Sequence, residues 1–220
     1  MTDPRAYARR LANDAVAAGD HTGWFERLYA AAETGDAVVP WADRRPNPML
    51  VAWAEQHRLT GDGRRAAVVG AGLGDDAEYL AGLGFATVAF DVAPSAVRGA
   101  RARFPESTVD FRVADLLALP ADLVGGFDFV FEAYTVQTLT GAARTAAIAA
   151  CGSLLAPGGR LLVVARVRGP EDPPGRMPWP LTRAEVEAFA ADGLRTAQLD
   201  GVLDTSEEPP VRRWRAEFVR

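Results

Sequence analysis

The sequence predicts an α/β fold in which a mostly parallel sheet is flanked by helices. From about Arg64 to Val167, short apolar runs alternate with helical patterns, and this alternation is typical of right-handed βαβ units. The apolar runs are nearly continuous in Val, Leu and Phe, as expected for strands that are buried on both faces. A helical region precedes this block, and two further strand-like runs follow it.

Five strands and three helices are predicted within the block. In chain order the strands are "RRAAVVG", "FATVAFD", "VDFRVAD", "FDFVFEAY" and "GGRLLVVARV". The helices are "DDAEYLAGL", "APSAVRGARARF" and the Ala-rich "GAARTAAIAACGSLLA". Pro94 falls near the first turn of the second helix, where its missing N–H removes no intrahelical hydrogen bond. These elements account for most of the alternation in the block.

Two helical patterns precede the block, one from about Asp3 to Ala18 and one from about Gly23 to Ala32. A Pro-rich link, "VVPWADRRPNPML", and a third helix, "MLVAWAEQHRL", lead to the first strand. The predicted division is therefore an N-terminal helical cover with a Pro-Trp loop over residues 1–60, followed by an α/β domain over residues 61–220.

A helix and two strands are predicted after the block. "LTRAEVEAFAADGL" begins with Thr182 and has Glu185 three residues later, which is the pattern of a capping box. "RTAQLDGV" and "VRRWRAEFVR" read as two strands, and the second places Trp214, Ala216 and Phe218 on one face. A hairpin at the edge of the sheet is therefore expected.

Composition narrows the function classes. The chain has 220 residues, a formal net charge of −5 and no Lys among its 24 basic residues. Without a basic stripe we expect no nucleic-acid partner. A single cysteine, Cys151, excludes an intrachain disulfide and a cysteine metal cluster, and we expect no metal site. No apolar run approaches the roughly 18 residues of a spanning helix, and the N-terminus lacks an apolar signal core. A cytoplasmic protein without a membrane partner is expected, and the oligomeric state stays open, a monomer included.

A glycine-rich loop, "VVGAGLGDDAEYL", follows the first strand. Gly70, Gly72 and Gly74 permit a tight turn, but Asp75 stands where a dinucleotide fingerprint needs its third glycine. Asp75 and Asp76 would oppose a bound phosphate, although they also suit a helix start, where the macrodipole favours anions. The loop therefore favours a cationic ligand without phosphate over a dinucleotide, and S-adenosylmethionine is such a ligand. Plain turn glycines and helix-start charges remain the structural alternative.

Two further acids follow the next strands. Asp91 ends the second strand, about 21 residues after Gly70, a spacing at which an acid reaches ribose hydroxyls. Asp115 follows the third strand, where a carboxylate could accept from an adenine amino group while Leu116 packs on the ring. An N-cap for the following helix, provided by Asp91 or Ser95, and a solvated loop acid at Asp115 are the alternatives.

The chain resembles the class I S-adenosylmethionine-dependent methyltransferases in "VVGAGLGDD", "AFDVAP", "FRVADLLALP", "FDFVFEAYTVQTL" and "LLAPGGRLLVVAR". The resemblance implies a Rossmann-like, doubly wound sheet of seven strands whose last strand is antiparallel and lies next to the fifth. It also implies that the glycine loop wraps the methionine moiety, that the second-strand acid binds ribose and that the acid after the third strand binds adenine. The cofactor-binding residues expected from this region are Gly70, Ala71, Gly72, Asp75, Asp91, Val92, Asp115 and Leu116.

The N-terminal segment resembles the cover of the thiol and thiopurine methyltransferase group. Phe25 and Tyr29 are four residues apart on one helical face, and Trp41 follows Pro40 in a loop. The resemblance implies that these aromatics line the cofactor, where they offer cation–π attraction to a sulfonium. In that group the positions of Phe25 and Tyr29 are usually two Trp with a shorter spacer. Ordinary packing between cover and sheet is the alternative for each aromatic.

The end of the fourth strand, "FEAYTVQTL", lies beside the transferring methyl group if the resemblance holds. Glu132 and Tyr134 are then expected to face the cleft, to contact the cofactor and to act in catalysis, with a loop acid as the alternative for Glu132. Arg166 and Arg168 begin a Pro-rich segment that is a candidate substrate lid. They would suit an anionic substrate, or form an exposed polar rim.

The expected function is in-line methyl transfer from S-adenosylmethionine to a small-molecule thiol, hydroxyl or amine. A module that binds S-adenosylmethionine or S-adenosylhomocysteine without turnover, and acts through a partner, is the main alternative. A nicotinamide oxidoreductase is disfavoured by the glycine spacing. The sequence does not name the acceptor.

Overall fold

The computed structural model of the protein describes residues 4–220; Asp3, where the first helix is predicted to begin, lies outside the described residues. The helices are α1 (Pro4–Ala17), α2 (Gly23–Glu33), α3 (Pro48–His57), α4 (Asp75–Gly82), α5 (Pro94–Arg103), α6 (Gly141–Ser153) and α7 (Arg183–Glu187). The strands are β1 (Arg65–Val69), β2 (Ala86–Asp91), β3 (Asp110–Val113), β4 (Phe127–Ala133), β5 (Leu155–Arg166), β6 (Arg195–Asp204) and β7 (Val211–Val219).

The seven strands form one sheet in the order β3-β2-β1-β4-β5-β7-β6. The first five strands are parallel to one another, and β7 lies between β5 and β6, antiparallel to both. The predicted doubly wound seven-stranded sheet, with an antiparallel last strand next to the fifth, is therefore confirmed. The carboxyl ends of the parallel strands meet at one edge, where open α/β sheets bind ligands.

Both faces of the central strands are buried, as the continuous apolar runs predict. On β5, Leu161 and Val163 pack into one hydrophobic cluster, whereas Leu162 and Val164 pack into the cluster on the opposite face. Each of these side chains is fully buried. The alternation follows from the two-residue period of a strand, so neighbouring residues serve different clusters.

The N-terminal helices pack together over the start of α5. Trp24 and Leu28 of α2 are fully buried in a third cluster that includes Ala96 of α5. The Glu26 carboxylate accepts hydrogen bonds from the Ser95 N–H (2.9 Å) and from the Ser95 hydroxyl (2.7 Å). Glu26 thereby satisfies one of the backbone donors that the first turn of a helix leaves without an intrahelical partner.

The C-terminal elements match the prediction in type but differ in length. The capping box of Thr182 and Glu185 is present, but α7 ends at Glu187, well before the end of the predicted helix. In contrast, β6 continues to Asp204, beyond the predicted strand, and pairs with β7 along its length. Among residues 4–220, no helix is long and apolar enough to cross a membrane.

Candidate functional site

A cavity of about 750 Å³ lies at the carboxyl edge of the sheet, between the strand ends and the N-terminal helices. This volume falls within the range of about 300–1,000 Å³ that is typical of small-molecule sites. The predicted site residues that line it are Phe25, Tyr29, Trp41, Gly70, Ala71, Gly72, Asp75, Asp91, Val92, Asp115, Leu116 and Tyr134. One predicted residue, Glu132, does not line the cavity.

The glycine loop has a backbone conformation that residues other than glycine adopt only with strain. Gly70 and Gly72 have φ of +60° and +53°, in the left-handed region that favours glycine. A Cβ on Gly70 would lie 2.1 Å from Thr135 Oγ1, and one on Gly72 would lie 2.8 Å from Tyr29 Oη. The loop is therefore closely packed between the end of β4 and the cover, and both glycines are required by contact as well as by conformation.

Asp91 is held at the end of β2 by two backbone donors. Its Oδ2 accepts from the Gly72 N–H and its Oδ1 from the Ala93 N–H, each at 2.9 Å. Burial raises the pKa of Asp91, and these two hydrogen bonds act in the opposite direction. Neither Asp91 nor Ser95 is the N-cap of α5; Ala93 holds that position. The carboxylate is thus fixed in orientation on the cavity wall.

Asp115 is also oriented by the backbone. It is the N-cap of a short 3₁₀ turn at Leu116–Ala118, and its Oδ1 accepts from the Leu117 N–H at 2.8 Å. Leu116 is buried in the core and contributes to the cavity wall beside it. The carboxylate and an apolar surface therefore stand side by side after β3, as predicted.

The two acids at the start of α4 have different partners. Asp75 makes a two-pronged ion pair with Arg103, with both N–O distances 2.7 Å. Asp76 accepts from the Asn47 N–H at 2.6 Å, which links α4 to the start of α3. Burial, together with the charge of Asp75, raises the pKa of Asp76 to about 6. Asp76 lines the cavity as well and was not among the predicted contacts.

The cover aromatics form one cluster against the glycine loop. Trp41 Nε1 donates to Tyr29 Oη at 3.0 Å, and the Trp41 ring meets those of Phe25 and Tyr29 edge-on at 6.2 and 6.4 Å between centroids. Burial and the charge of Asp91 raise the pKa of Tyr29. Trp41 is 39% exposed although large and apolar. A partly exposed aromatic over the cavity suits contact with a ligand better than core packing alone.

The prediction that Glu132 faces the cleft is wrong. Its side chain is 1% exposed, and its carboxylate accepts from the Val136 N–H at 2.9 Å. Burial raises its pKa to about 7. The period of β4 places Glu132 on the same face as Val130, beneath the turn that follows the strand. Glu132 therefore positions this turn, and it is not among the residues that line the cavity.

Tyr134, two residues later, does line the cavity and has a constrained backbone. Its φ is +65°, which is unusual for a bulky residue and is typical of functional sites. Its N–H donates to the Val164 carbonyl at 3.0 Å, and the Arg213 guanidinium lies 5.2 Å from the ring centroid. Burial raises the pKa of the hydroxyl, while the charge of Arg213 and a hydrogen bond with the Asn47 side chain act to lower it.

The sequence analysis missed most of the charged residues at the ends of β5, β6 and β7. Arg213 and Asp204 are buried cavity residues, 3.4 Å apart, and Arg213 also pairs with Glu207. Of the two predicted arginines, Arg166 lines the cavity, whereas Arg168 pairs with Glu185 at 2.8 Å and does not. The two adjacent arginines in the last strand were the available indication in the sequence. The face on which each of them lies could not be assigned without the strand pairing.

Within the described chain, no group of three or more His, Cys, Asp and Glu side chains is placed to hold a metal ion. Cys151 is a buried free thiol in α6, and burial raises its pKa well above the ordinary value. The chemistry of the cavity therefore comes from carboxylates, guanidinium groups, aromatics and backbone groups. This set is that of an α/β domain that binds a nucleoside-containing ligand at the carboxyl edge of its sheet.

Comparisons with known proteins agree with this class. Residues 67–159 match the family model described as "Methyltransferase domain". A stretch of 126 residues is 37% identical to the ubiquinone biosynthesis O-methyltransferase of Xanthomonas axonopodis pv. citri (strain 306). The alignment covers 56% of this chain and 52% of that protein, so the chain spans about half the length of the curated relatives it matches.

Solved structures share the fold. One, reported for the conversion of a disulfide bond into a thioacetal group during echinomycin biosynthesis, has a TM-score of 0.73 at 23% identity and covers 89% of this chain and 91% of that chain. The N-methyltransferase NodS from Bradyrhizobium japonicum WM9, in complex with S-adenosyl-L-homocysteine, has a TM-score of 0.65 at 20% identity and covers 91% and 98%.

The domain match over residues 67–159, the curated relatives and the solved structures all support a class I S-adenosylmethionine-dependent methyltransferase domain. The curated relatives are O-methyltransferases, and the solved structures of this fold include complexes with S-adenosyl-L-homocysteine and with sinefungin. The thiol and thiopurine subgroup, which the N-terminal segment resembles, is not confirmed by these comparisons.

Proposed function

We propose that the protein transfers the methyl group of S-adenosylmethionine to a small-molecule acceptor by in-line displacement. The observation that carries the proposal is the convergence, along one cavity, of the glycine loop, Asp91 and Asp115. Each acid has its orientation set by backbone donors, which leaves a preorganised wall for a nucleoside with a cationic tail. The domain match and the O-methyltransferase relatives support the same reaction type.

In this proposal each part of the cavity wall binds one part of the cofactor. Asp91, with Val92 beside it, accepts from the ribose hydroxyls, and Asp115 accepts from the adenine amino group while Leu116 packs on the ring. Gly70, Ala71 and Gly72 lie along the methionine moiety, because only a loop without side chains allows so close an approach. Asp75 and Asp76 place negative charge near the ammonium group.

The N-terminal cover closes the site in this proposal, with residues 1–60 as the cover and residues 61–220 as the methyltransferase domain. Phe25, Tyr29 and Trp41 surround the sulfonium, to which an aromatic face offers about 0.5–2 kcal/mol. Support comes from the Trp41–Tyr29 hydrogen bond and from the contact of Tyr29 with the glycine loop. A cover of this kind supports the resemblance to the thiol and thiopurine group.

The methyl acceptor occupies the part of the cavity beyond Tyr134. The leaving group of the reaction is a neutral thioether, so the protein mainly aligns nucleophile and methyl group. Tyr134, held by the β4–β5 pairing and by its contacts with Arg213 and Asn47, forms the boundary between cofactor and acceptor. A thiol with a pKa near 8.5 needs little help, whereas a hydroxyl or amine acceptor calls for a general base.

Calorimetric titration with S-adenosylmethionine, S-adenosylhomocysteine and NADH tests the proposal. We expect micromolar binding of the first two and none of NADH, and then methyl transfer to members of a thiol, phenol and amine panel. Binding of NADH alone would overturn the cofactor assignment. Binding of both sulfur nucleosides without transfer to any acceptor would favour a binding module without turnover.

A further inference from the structure

We propose that Arg166 binds an anionic group on the methyl acceptor, in a subsite that it forms with Arg213 and Tyr134 at the carboxyl end of β5. The subsite lies in the same cavity as the glycine loop, but at the ends of β5 and β7, whereas the glycine loop and Asp91 follow β1 and β2 on the other side of β4. The proposal rests on the proposed function, because it assigns this end of the cavity to the acceptor. It narrows the acceptor to molecules that carry a carboxylate or another anion beside the nucleophile.

The two arginines of the subsite are neighbours on adjacent strands of the sheet. The register of the antiparallel pair β5–β7 places Arg166 directly opposite Arg213. Side chains in such a pair lie on one face with Cβ atoms about 4.5–5.5 Å apart, and like charges there destabilise the sheet. Both residues line the cavity. The like-charged pair therefore requires negative charge beside it, from carboxylates of the protein or from a bound anion.

Only one member of this pair has its charge balanced by the protein. Arg213 is 4% exposed and pairs with Asp204 and Glu207. Within residues 4–220, in contrast, no carboxylate lies within 4.0 Å of the Arg166 guanidinium. Burial, and next the charge of Arg213, lower the pKa of Arg166; the charge of Glu207 opposes them, and the smaller effects of Arg5 and Tyr134 lower and raise it respectively. A half-buried cation in these surroundings favours an anionic partner.

The backbone of Arg166 is fixed, which holds the base of its side chain in place. Its N–H donates to Gln137 Oε1 and its carbonyl accepts from the Leu181 N–H, both at 2.8 Å. Gln137 is itself 1% exposed and belongs to the turn after β4. Because the backbone of Arg166 is fixed, its guanidinium is a well-placed, planar, two-pronged donor that matches a carboxylate.

The charge distribution along the cavity gives the acceptor a direction. Asp76, Asp91 and Asp115 line the end near the glycine loop and repel an anion, whereas Arg166 attracts it; Asp75 lines the same end but is paired with Arg103. At the far end, Asp204 and Glu207 carry more charge than Arg213 alone balances, but they are in contact with Arg213 and not with Arg166, and Glu208 is exposed. An acceptor with one anionic end therefore turns that end to Arg166 and its nucleophile to the methyl group.

The test compares acceptors that differ in one charge. The protein, saturated with S-adenosylhomocysteine, is titrated calorimetrically with 4-(mercaptomethyl)benzoate and with neutral 4-(mercaptomethyl)benzyl alcohol. A corresponding phenol pair is 4-hydroxybenzoate and neutral 4-hydroxybenzyl alcohol. We expect each anion to bind at least about tenfold more tightly than its neutral partner, the size of a charge-assisted hydrogen bond. Arg166→Gln should remove this preference and Arg166→Lys should retain part of it.

Arg183→Gln is the matched control. It makes the same change in charge at an exposed residue that pairs with Glu187 and does not line the cavity, so the preference for the anion should be unchanged. The proposal is overturned if the wild-type protein binds anionic and neutral compounds equally, or binds neither. It is also overturned if Arg166→Gln weakens S-adenosylmethionine binding instead, since Arg166 would then hold the carboxylate of the cofactor.

Titration with S-adenosylmethionine in the absence of acceptor separates the two proposals. If the cofactor binds and only the preference for anions is missing, the subsite falls and the proposed function stands. If the cofactor does not bind, the proposed function falls and the subsite falls with it.

Discussion

The two ends of the cavity are held together in different ways. At the glycine-loop end, Asp91 and Asp115 each accept from a backbone N–H two residues away, and Asp91 also accepts from the Gly72 N–H in the glycine loop. At the far end, Arg166 and Arg213 meet only because β5 and β7 pair across the sheet, although they are far apart in the chain. The first end is built by local motifs, and the second is built by strand register.

This difference matters for chemistry as well as for assembly. The loop end gathers carboxylates whose orientation is set by backbone donors, so it suits hydroxyls, amines and a positive charge. The far end gathers arginines beside paired acids, so it suits an anion. A cavity with two such ends can hold a cofactor and an acceptor in one fixed order, which is what alignment for displacement requires.

The largest effect is expected at the loop end, from Asp91→Ala. The change removes the proposed acceptor of the ribose hydrogen bonds and also leaves the Gly72 and Ala93 N–H groups without their partner. We expect binding of both S-adenosylmethionine and S-adenosylhomocysteine to weaken by about 1.5–3 kcal/mol, the range for hydrogen bonds to a charged group. Calorimetric titration of the folded variant measures it.

Asp122→Ala is the control for this change, because Asp122 is an exposed carboxylate that pairs with Arg112 on the surface. Its affinity for the cofactor should match that of the wild-type protein. An Asp91→Ala variant that is folded and binds both ligands as the wild type does would remove the ribose assignment.

The next effect, on stability, is expected from Asp76→Asn. The pKa of Asp76 is raised from 3.8 to about 6, so the folded protein holds this proton more tightly than the unfolded chain between these two pH values. Stability therefore falls as the pH rises through this window, and the loss persists above it. Asn keeps an acceptor for the Asn47 N–H without the charge. We expect a gain of about 1–3 kcal/mol in the free energy of unfolding at pH 7.

Urea unfolding at pH 7 and at pH 3.5 provides the check. The gain should be present at the higher pH and nearly absent at the lower one, where Asp76 is protonated in both states. Equal stability of the two proteins at pH 7 would show that the carboxylate is not destabilised by burial. A gain in stability accompanied by weaker cofactor binding would support a contact between Asp76 and the ammonium group.

The sheet was predictable because its strands are buried on both faces and therefore read as continuous apolar runs. Because of the same continuous apolar runs, the sequence did not show which face of the sheet the Glu132 side chain occupies. A strand with one polar face shows alternating polar and apolar residues. Such alternation would place Glu132 and Tyr134 on one face, but only if the strand continued through both residues. Here β4 ends at Ala133, Tyr134 has a positive φ, and the period of two no longer applies. Local pattern thus identified the segment but not which side chain enters the cavity.

The far end was less predictable for a related reason. Arg166 was identified by its place after the fifth strand, but Arg213 acquires its meaning only from the register that sets it opposite Arg166. Asp204 joins it because β6 extends two residues beyond the predicted strand "RTAQLDGV". Such pairings depend on which strands are neighbours, and no short motif records them.

A smaller effect is expected in the cover, from Trp41→Ala. If the exposed face of Trp41 contacts the sulfonium, S-adenosylmethionine should lose about 0.5–2 kcal/mol more affinity than the neutral S-adenosylhomocysteine. Paired calorimetric titrations give the difference, and Trp41→Phe, which keeps an aromatic face but loses the hydrogen bond to Tyr29, is the matched comparison. Equal losses for the two ligands would leave packing as the contribution of Trp41.

The smallest effect on the reaction is expected from Glu132→Gln, although this residue was predicted to be catalytic. Gln keeps an acceptor for the Val136 N–H, and the side chain lies under the turn and not in the cavity. We expect kcat/KM for any acceptor that the protein methylates to stay within about threefold of the wild type, since removal of a general base would cost on the order of 10²–10⁴. Tyr134→Phe is the comparison, because Tyr134 does line the cavity. A large loss of kcat in Glu132→Gln, with the turn and the cofactor affinity intact, would return Glu132 to the chemistry and would mean that the end of β4 opens during turnover.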